Sequence, residues 1–272
     1  PSLPGYEGSV PVRVGNGAVQ QYQADVVGEV MVTLSAARDA GLPETESSWA
    51  LQSQLIQFVT EHIDRPDQGI WEIRGQARMF TQSRAMVWAA FDRAVRAVEV
   101  HGLPGPVDEW RRMRERVKAE IYGNGVADGH FTQYYGTSEV DASLLMLPQV
   151  GFCAPDDPLM LATVARIEED LMQGGLLRRY RTTTNVDGLA GSEYPFVACS
   201  FWLVEQYAST ARLDEAHALM DRLCALVNDV GMLSEEYDDD DGRHAGNTPQ
   251  AFSHLALVRA ADALTRAAHK PR

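Results

Sequence analysis

Helical periodicity dominates this chain and leaves little room for another architecture. In nine segments apolar residues recur three or four places apart, the spacing that builds one face of an α-helix. The first, residues 18–40, carries Tyr22, Val26, Val30 and Leu34 on its stripe. Gly41-Leu42-Pro43 then stops it, because proline cannot continue a helix. The second, residues 46–63, turns Leu51, Leu55, Phe58, Val59 and Ile63 inward, and the third, 81–101, carries Met86, Ala90, Ala94 and Val98. The fourth, 107–122, presents a charged face (Arg111, Arg112, Arg114, Glu115, Arg116) that reads as solvated surface. Segments 142–147, 155–172, 196–208, 212–228 and 248–268 complete the set. No run alternates with period two, so the expected fold class is all-α.

Composition narrows the function. A hydrophobic share of 45% and a charged share of 23% are ordinary for a globular protein, and 272 residues suffice for one or two domains. A formal net charge of −14 argues against nucleic acid and anionic membranes as partners, and suits a neutral ligand without selecting one. No run of 18 apolar residues predicts a membrane span. Three widely spaced cysteines, Cys153, Cys199 and Cys224, argue against a disulfide framework or a zinc site. They predict reduced thiols in a cytoplasmic protein, with Cys199 and Cys224 as small core residues.

No cofactor or metal is expected either. Gly15-Asn16-Gly17 is a turn and too poor in glycine for a dinucleotide fingerprint, and no G-x-S-x-G elbow occurs. The run Asp238-Asp239-Asp240-Asp241-Gly242 fails as a calcium loop, because Tyr237 and Thr248 stand where acidic residues are needed. It reads as a solvated acidic turn.

Two loops offer carboxyl chemistry. The turn signal Arg65-Pro66-Asp67-Gln68-Gly69 leads into Trp71-Glu72, ahead of the third helix. A carboxyl beside an indole gains a raised pKa and an aromatic platform for a sugar ring. Far downstream, Glu235 and Glu236 lie on a loop between two helical patterns. A third loop, 176–195, is long and polar, and such loops inside compact domains are often functional.

GIWEIRG followed by FTQSRAMVWAAFDRA resembles the general-acid region of family 15 glycoside hydrolases, the glucoamylases and their bacterial relatives. LSEEYD followed by GNTPQAFSHLAL resembles their general-base region, and QYYGTSEVDASLLMLPQVGF, LLRRYRTTTNVDGLAGSE and FVACSFWLVEQY fit between them in the family's order. The opening PGYEGSVPVRVGN is similar to a substrate loop of bacterial members. The resemblance implies an (α/α)6 barrel of twelve helices, Glu72 as general acid and Glu235 as general base. It also implies inversion, so that an α-linkage yields β-glucose, with carboxyl groups roughly 6.5–9.5 Å apart. Glu236 competes with its neighbour for the base and otherwise joins the substrate contacts. Trp71 would line the sugar site, Arg179 and Tyr180 would contact substrate, and Arg13 and Asn16 would stand near the aglycone. Arg74 and Glu193 also occupy family positions. Three departures bear on substrate specificity: Arg84 stands for a family lysine, Met79 for a histidine, and Tyr194 for the glycine of a Glu-Gly pair.

In helix count this chain resembles the fourth to twelfth helices of such a barrel. The family's first three helices, its N-terminal β-sandwich and an Arg-Asp pair that grips the innermost glucose are expected to lie ahead of Pro1. The methionine-free opening reads as a cut in a longer polypeptide. Three functions follow. The chain is an inverting α-glucosidase acting on a glucan or small α-glucoside; or it is a trehalase of the same family; or it is a catalytically silent helical domain. The missing segment or a second copy of the chain is the expected partner for helix faces that an open ring would expose.

Overall fold

The computed structural model describes residues 5, 8, 10, 15, 17–182, 186 and 193–269. Among them nine α-helices carry most of the structure, and the strands are two or three residues long. Two compact units emerge, one made of residues 22–172 and 179–190, the other of residues 1–21, 173–178 and 191–272.

The first unit contains α1 (Asp25–Asp39), α2 (Glu46–Glu61), α3 (Thr81–Glu99), α4 (Val107–Asn124), α5 (Met146–Gln149) and α6 (Pro158–Leu171). Its centre is α3, buried on nearly every side and packed against α1 and α4. Every residue from Thr81 to Phe91 is buried, the mark of an interior helix, and exposed polar positions return only at Arg96 and Glu99. Ala85, Ala89, Ala90, Ala94 and Ala97 are all buried along it and let its neighbours approach closely. The closest approach is at Gly28 of α1, where a Cβ would stand 2.3 Å from the Met86 carbonyl oxygen. Any side chain there would push α1 off α3. Between α4 and α5 a small hairpin pairs β1 (Val126–Ala127) with β2 (His130–Phe131).

Helix ends follow local chemistry. The Thr45 hydroxyl accepts from the Ser48 N–H and caps α2. Asp157 accepts from the Leu159 N–H, and Pro158 takes the first turn of α6. That cap starts α6 three residues later than apolar spacing predicts. Likewise α1 begins at Asp25, with a short 3-10 turn (Gly17–Gln20) before it.

The predicted stripe of α1 is corrected by one residue. Val27, Met31, Ser35 and Arg38 face inward, whereas Val26 is 49% exposed. Polar groups complete the buried face, which is why apolar periodicity alone misses it: Arg38 donates to Glu44 and, at 2.7 Å, to Gln52. On α2 the inward residues are Trp49, Gln52, Ile56 and Val59, while Leu51 and Phe58 are exposed. Arg84 is buried on α3 and makes a bidentate pair with Glu120 of α4, both contacts 2.9 Å, plus a 2.6 Å bond to the Ile63 carbonyl.

The chain changes units around β3 (Met172–Gln173). The second unit holds β4 (Leu176–Leu177), α7 (Val197–Ser209), α8 (Leu213–Cys224), β5 (Glu236–Asp238), β6 (Arg243–Ala245) and α9 (Ala251–Ala268). The buried helix here is α7, covered by α8 and α9. Phe252 of α9 meets Phe196 and Trp202 edge to face, with centroids 6.2 and 5.3 Å apart. Cys199 is buried as expected, but Cys224, the last residue of α8, is exposed because Leu223 takes the inward position. The acidic run is also corrected. Asp238 is buried in the β5–β6 hairpin opposite Arg243, 3.2 Å away, and only the turn beyond it is solvated.

Candidate active site

In the first unit the Trp71–Glu72 loop is closed at its base. Asp67 and Arg78 exchange backbone hydrogen bonds of 2.9 Å in both directions. The buried Asp67 carboxylate accepts from the Ala24 N–H at the start of α1, and Gln68 bonds Tyr22 through both backbone and side chain. Burial pushes the Asp67 carboxyl up, against the pull of that Ala24 bond. Beside it Asp25, also buried, is pushed up to about 7 by burial first and by the Asp67 charge second.

Along the loop burial alternates. Trp71 and Ile73 are buried, whereas Glu72 and Arg74 are exposed. Glu72 has φ +53°, in the left-handed region that costs a residue with a Cβ roughly 1–2 kcal/mol. Anchors on both sides hold that strain, and strain of this kind clusters where function requires a fixed geometry.

Around Trp71 the fold gathers two more of the residues singled out in the sequence. The Arg179 guanidinium lies over the Trp71 ring at 5.8 Å and over Tyr180 at 5.5 Å. The Trp71 and Tyr180 rings are 6.3 Å apart. One member of this cluster was not singled out: Asp141, which accepts a 2.9 Å bond from the Trp71 indole N–H and a 2.6 Å bond from the Ser143 hydroxyl. Its carboxyl is pushed up to about 6 by complete burial, which the Ser143 and Trp71 bonds oppose. An acidic residue before the apolar run ASLLML is the one signal that marked it.

The second unit builds a separate carboxylate setting. The Glu235 backbone N–H donates to the Asn247 carbonyl at 2.9 Å, and the Glu235 carbonyl accepts from the Val197 N–H at 3.0 Å. Its Oε2 accepts from the Asn247 backbone N–H at 3.0 Å and from the Asn247 side-chain amide at 2.9 Å. Gly246, with φ +69°, makes room for that oxygen, since a Cβ there would lie 2.8 Å from it. Glu236, by contrast, is a strand residue of β5 opposite Ala245. Its carbonyl accepts from Ser234 at 2.6 Å. Glu193 is half-buried, next to Tyr194, whose ring lies under Arg243. Arg13 and Asn16 lie outside the described residues.

Arg84, a departure from the family lysine, spends its charge on Glu120 inside the first unit. Among the described residues no group of three or more His, Cys, Asp or Glu gathers to hold a metal, and no helix is long and apolar enough to cross a membrane.

The family model for glycosyl hydrolases family 15 matches residues 2–262. A protein of Mycobacterium tuberculosis named trehalase is 38% identical over 266 residues, 97% of this chain and 39% of its own length. The chain thus spans about two fifths of the length of such curated relatives. A solved wild-type glycosidase superposes with a TM-score of 0.78 at 20% identity, covering 97% of this chain and 74% of that one. A bacterial glucoamylase complexed with acarbose gives a TM-score of 0.71 at 17% identity, covering 91% of this chain and 41% of that one. The fold class is that of the (α/α)6 barrel glycosidases.

Proposed function

This chain belongs to glycosyl hydrolases family 15, and we propose that it carries the acid and the base of an inverting α-glucoside hydrolase whose substrate is trehalose. The observation that carries the choice of sugar is the 38% identity, over nearly the whole chain, to a protein named trehalase. It favours trehalose over the glucan that the motifs alone put first.

The roles follow from the motif match and the local settings. Glu72, on an exposed, strained turn, is the general acid and protonates the oxygen between the two glucose rings. Glu235, held by Asn247, is the general base and takes a proton from the water that attacks the anomeric carbon. The carbon–oxygen bond breaks, the water oxygen joins from the opposite face, and one trehalose plus one water become two glucose molecules. Trp71, Arg179 and Tyr180 form the cluster that backs the sugar site in the first unit, two largely buried rings under one guanidinium.

Inversion makes a specific prediction for an α,α-linked sugar. One ring leaves with inverted configuration and the other keeps its own, so the first products are β- and α-glucose in equal amounts. Proton NMR of the anomeric signals, read before mutarotation, tests this on trehalose, with maltose and isomaltose alongside. Equal early signals from trehalose, lost in Glu72→Gln and in Glu235→Gln, support the reading. Two α products would replace inversion by retention. Cleavage of maltose but not trehalose would restore the glucan reading, and no cleavage of any sugar would favour the catalytically silent domain.

A further inference from the structure

We propose that Asp141 is the positioning residue of this site: it fixes the Trp71 indole and, through the next peptide, the strained backbone of Glu72. The inference rests on the roles given above to Trp71 and Glu72. Asp141 is 1% exposed; its Oδ2 accepts from the Trp71 N–H and its Oδ1 from the Ser143 hydroxyl, and the Gln133 side chain and Ser143 backbone N–H also act on the carboxylate. The adjoining Ala142 N–H donates to the Arg179 carbonyl at 2.8 Å. One short segment therefore grips both residues that stack against each other, Trp71 by a side chain and Arg179 by the backbone.

A merely structural acceptor at this place would be better supplied by a neutral group. Burying a carboxylate is unfavourable, and no cation lies among the groups that bear on its charge. What a carboxylate adds is a charge-assisted bond, shorter and about twice as strong as a neutral one. It also polarises its partner. An indole that donates to an anion carries a more negative face, and that face is the one under Arg179. Asp141 thus sets both where the ring stands and how strongly it attracts.

The test uses three variants: Asp141→Asn, Trp71→Phe and the double substitution. Asparagine keeps the shape and one acceptor but loses the charge; phenylalanine keeps the ring and loses the donor. Each single variant is expected to lower kcat/KM on trehalose about tenfold, with the double no worse than the weaker single, because both break one interaction. Independent, multiplying losses would overturn the proposal, as would full activity in Asp141→Asn. A second readout does not depend on activity. The Trp71 indole ¹H–¹⁵N signal, assigned by its absence in Trp71→Phe, should move as the pH passes through about 6 and stay still in Asp141→Asn. An indole signal indifferent to pH and to Asp141→Asn sinks the proposal even if trehalose is cleaved. Should the chain cleave no sugar, the hydrolase reading fails while the indole titration still decides the role of Asp141.

Discussion

Asn247 holds Glu235 twice over, its backbone N–H and its side-chain amide both donating to the same carboxylate oxygen. Asn247→Asp would replace one donor by a like charge, which favours protonated Glu235. The acidic limb of the kcat/KM profile should then move to higher pH, with kcat at neutral pH falling roughly 10- to 100-fold, as for loss of a hydrogen bond to a charged group. An unmoved acidic limb would remove Glu235 from the role of base.

Glu72 should trade stability for chemistry. Its φ of +53° is unfavourable for any residue with a Cβ and free for glycine. Glu72→Gly is expected to raise stability by about 0.5–1 kcal/mol while abolishing hydrolysis. Urea unfolding of the two proteins measures the first effect, and a destabilised glycine variant would show that the turn carries no strain.

The buried pair Asp25 and Asp67 predicts how stability varies with pH. The folded state raises the Asp25 pKa from 3.8 to about 7, so its contribution is complete below about pH 4 and is lost as the pH climbs to 7. Asp25→Asn removes that loss. Its unfolding free energy should match the parent's near pH 4 and exceed it at pH 8, by an amount on the order of 2–4 kcal/mol. A gain of equal size at both pH values would mean that charge is not the cause.

Arg84 and Glu120 form a planar two-bond pair that lysine cannot copy. Arg84→Lys restores the residue usual in the family, yet it leaves part of the Glu120 carboxylate and the Ile63 carbonyl without a donor. A loss of about 1–3 kcal/mol is expected in chemical denaturation. An unchanged midpoint would show that the ammonium reaches the same partners.

Among the described residues the order and number of the helices were legible in the sequence because each buries a periodic face, whereas the two glutamates were singled out only by the motifs of their loops. What periodicity could not show were buried faces completed by polar side chains. Val26 and Leu51 looked like core, but Val27 and Gln52 face inward in their place, and the buried Arg38 donates to Gln52 there. Cys224 was misjudged for a similar reason, since at a helix end the inward position passed to Leu223. Asp141 and Asn247 were hidden because their importance lies in partners distant along the chain. A local pattern carries no trace of such a pairing.

The Asp67–Arg78 backbone pair brings the two ends of the Trp71–Glu72 loop side by side. Such a loop behaves as a cartridge with a fixed socket. Its ends answer to α1 and the chain leading into α3, and its middle is pinned through the buried Trp71 and Ile73. Only exposed positions between the ends, such as Arg74, can therefore vary, in nature or by design, without disturbing the helices that hold it.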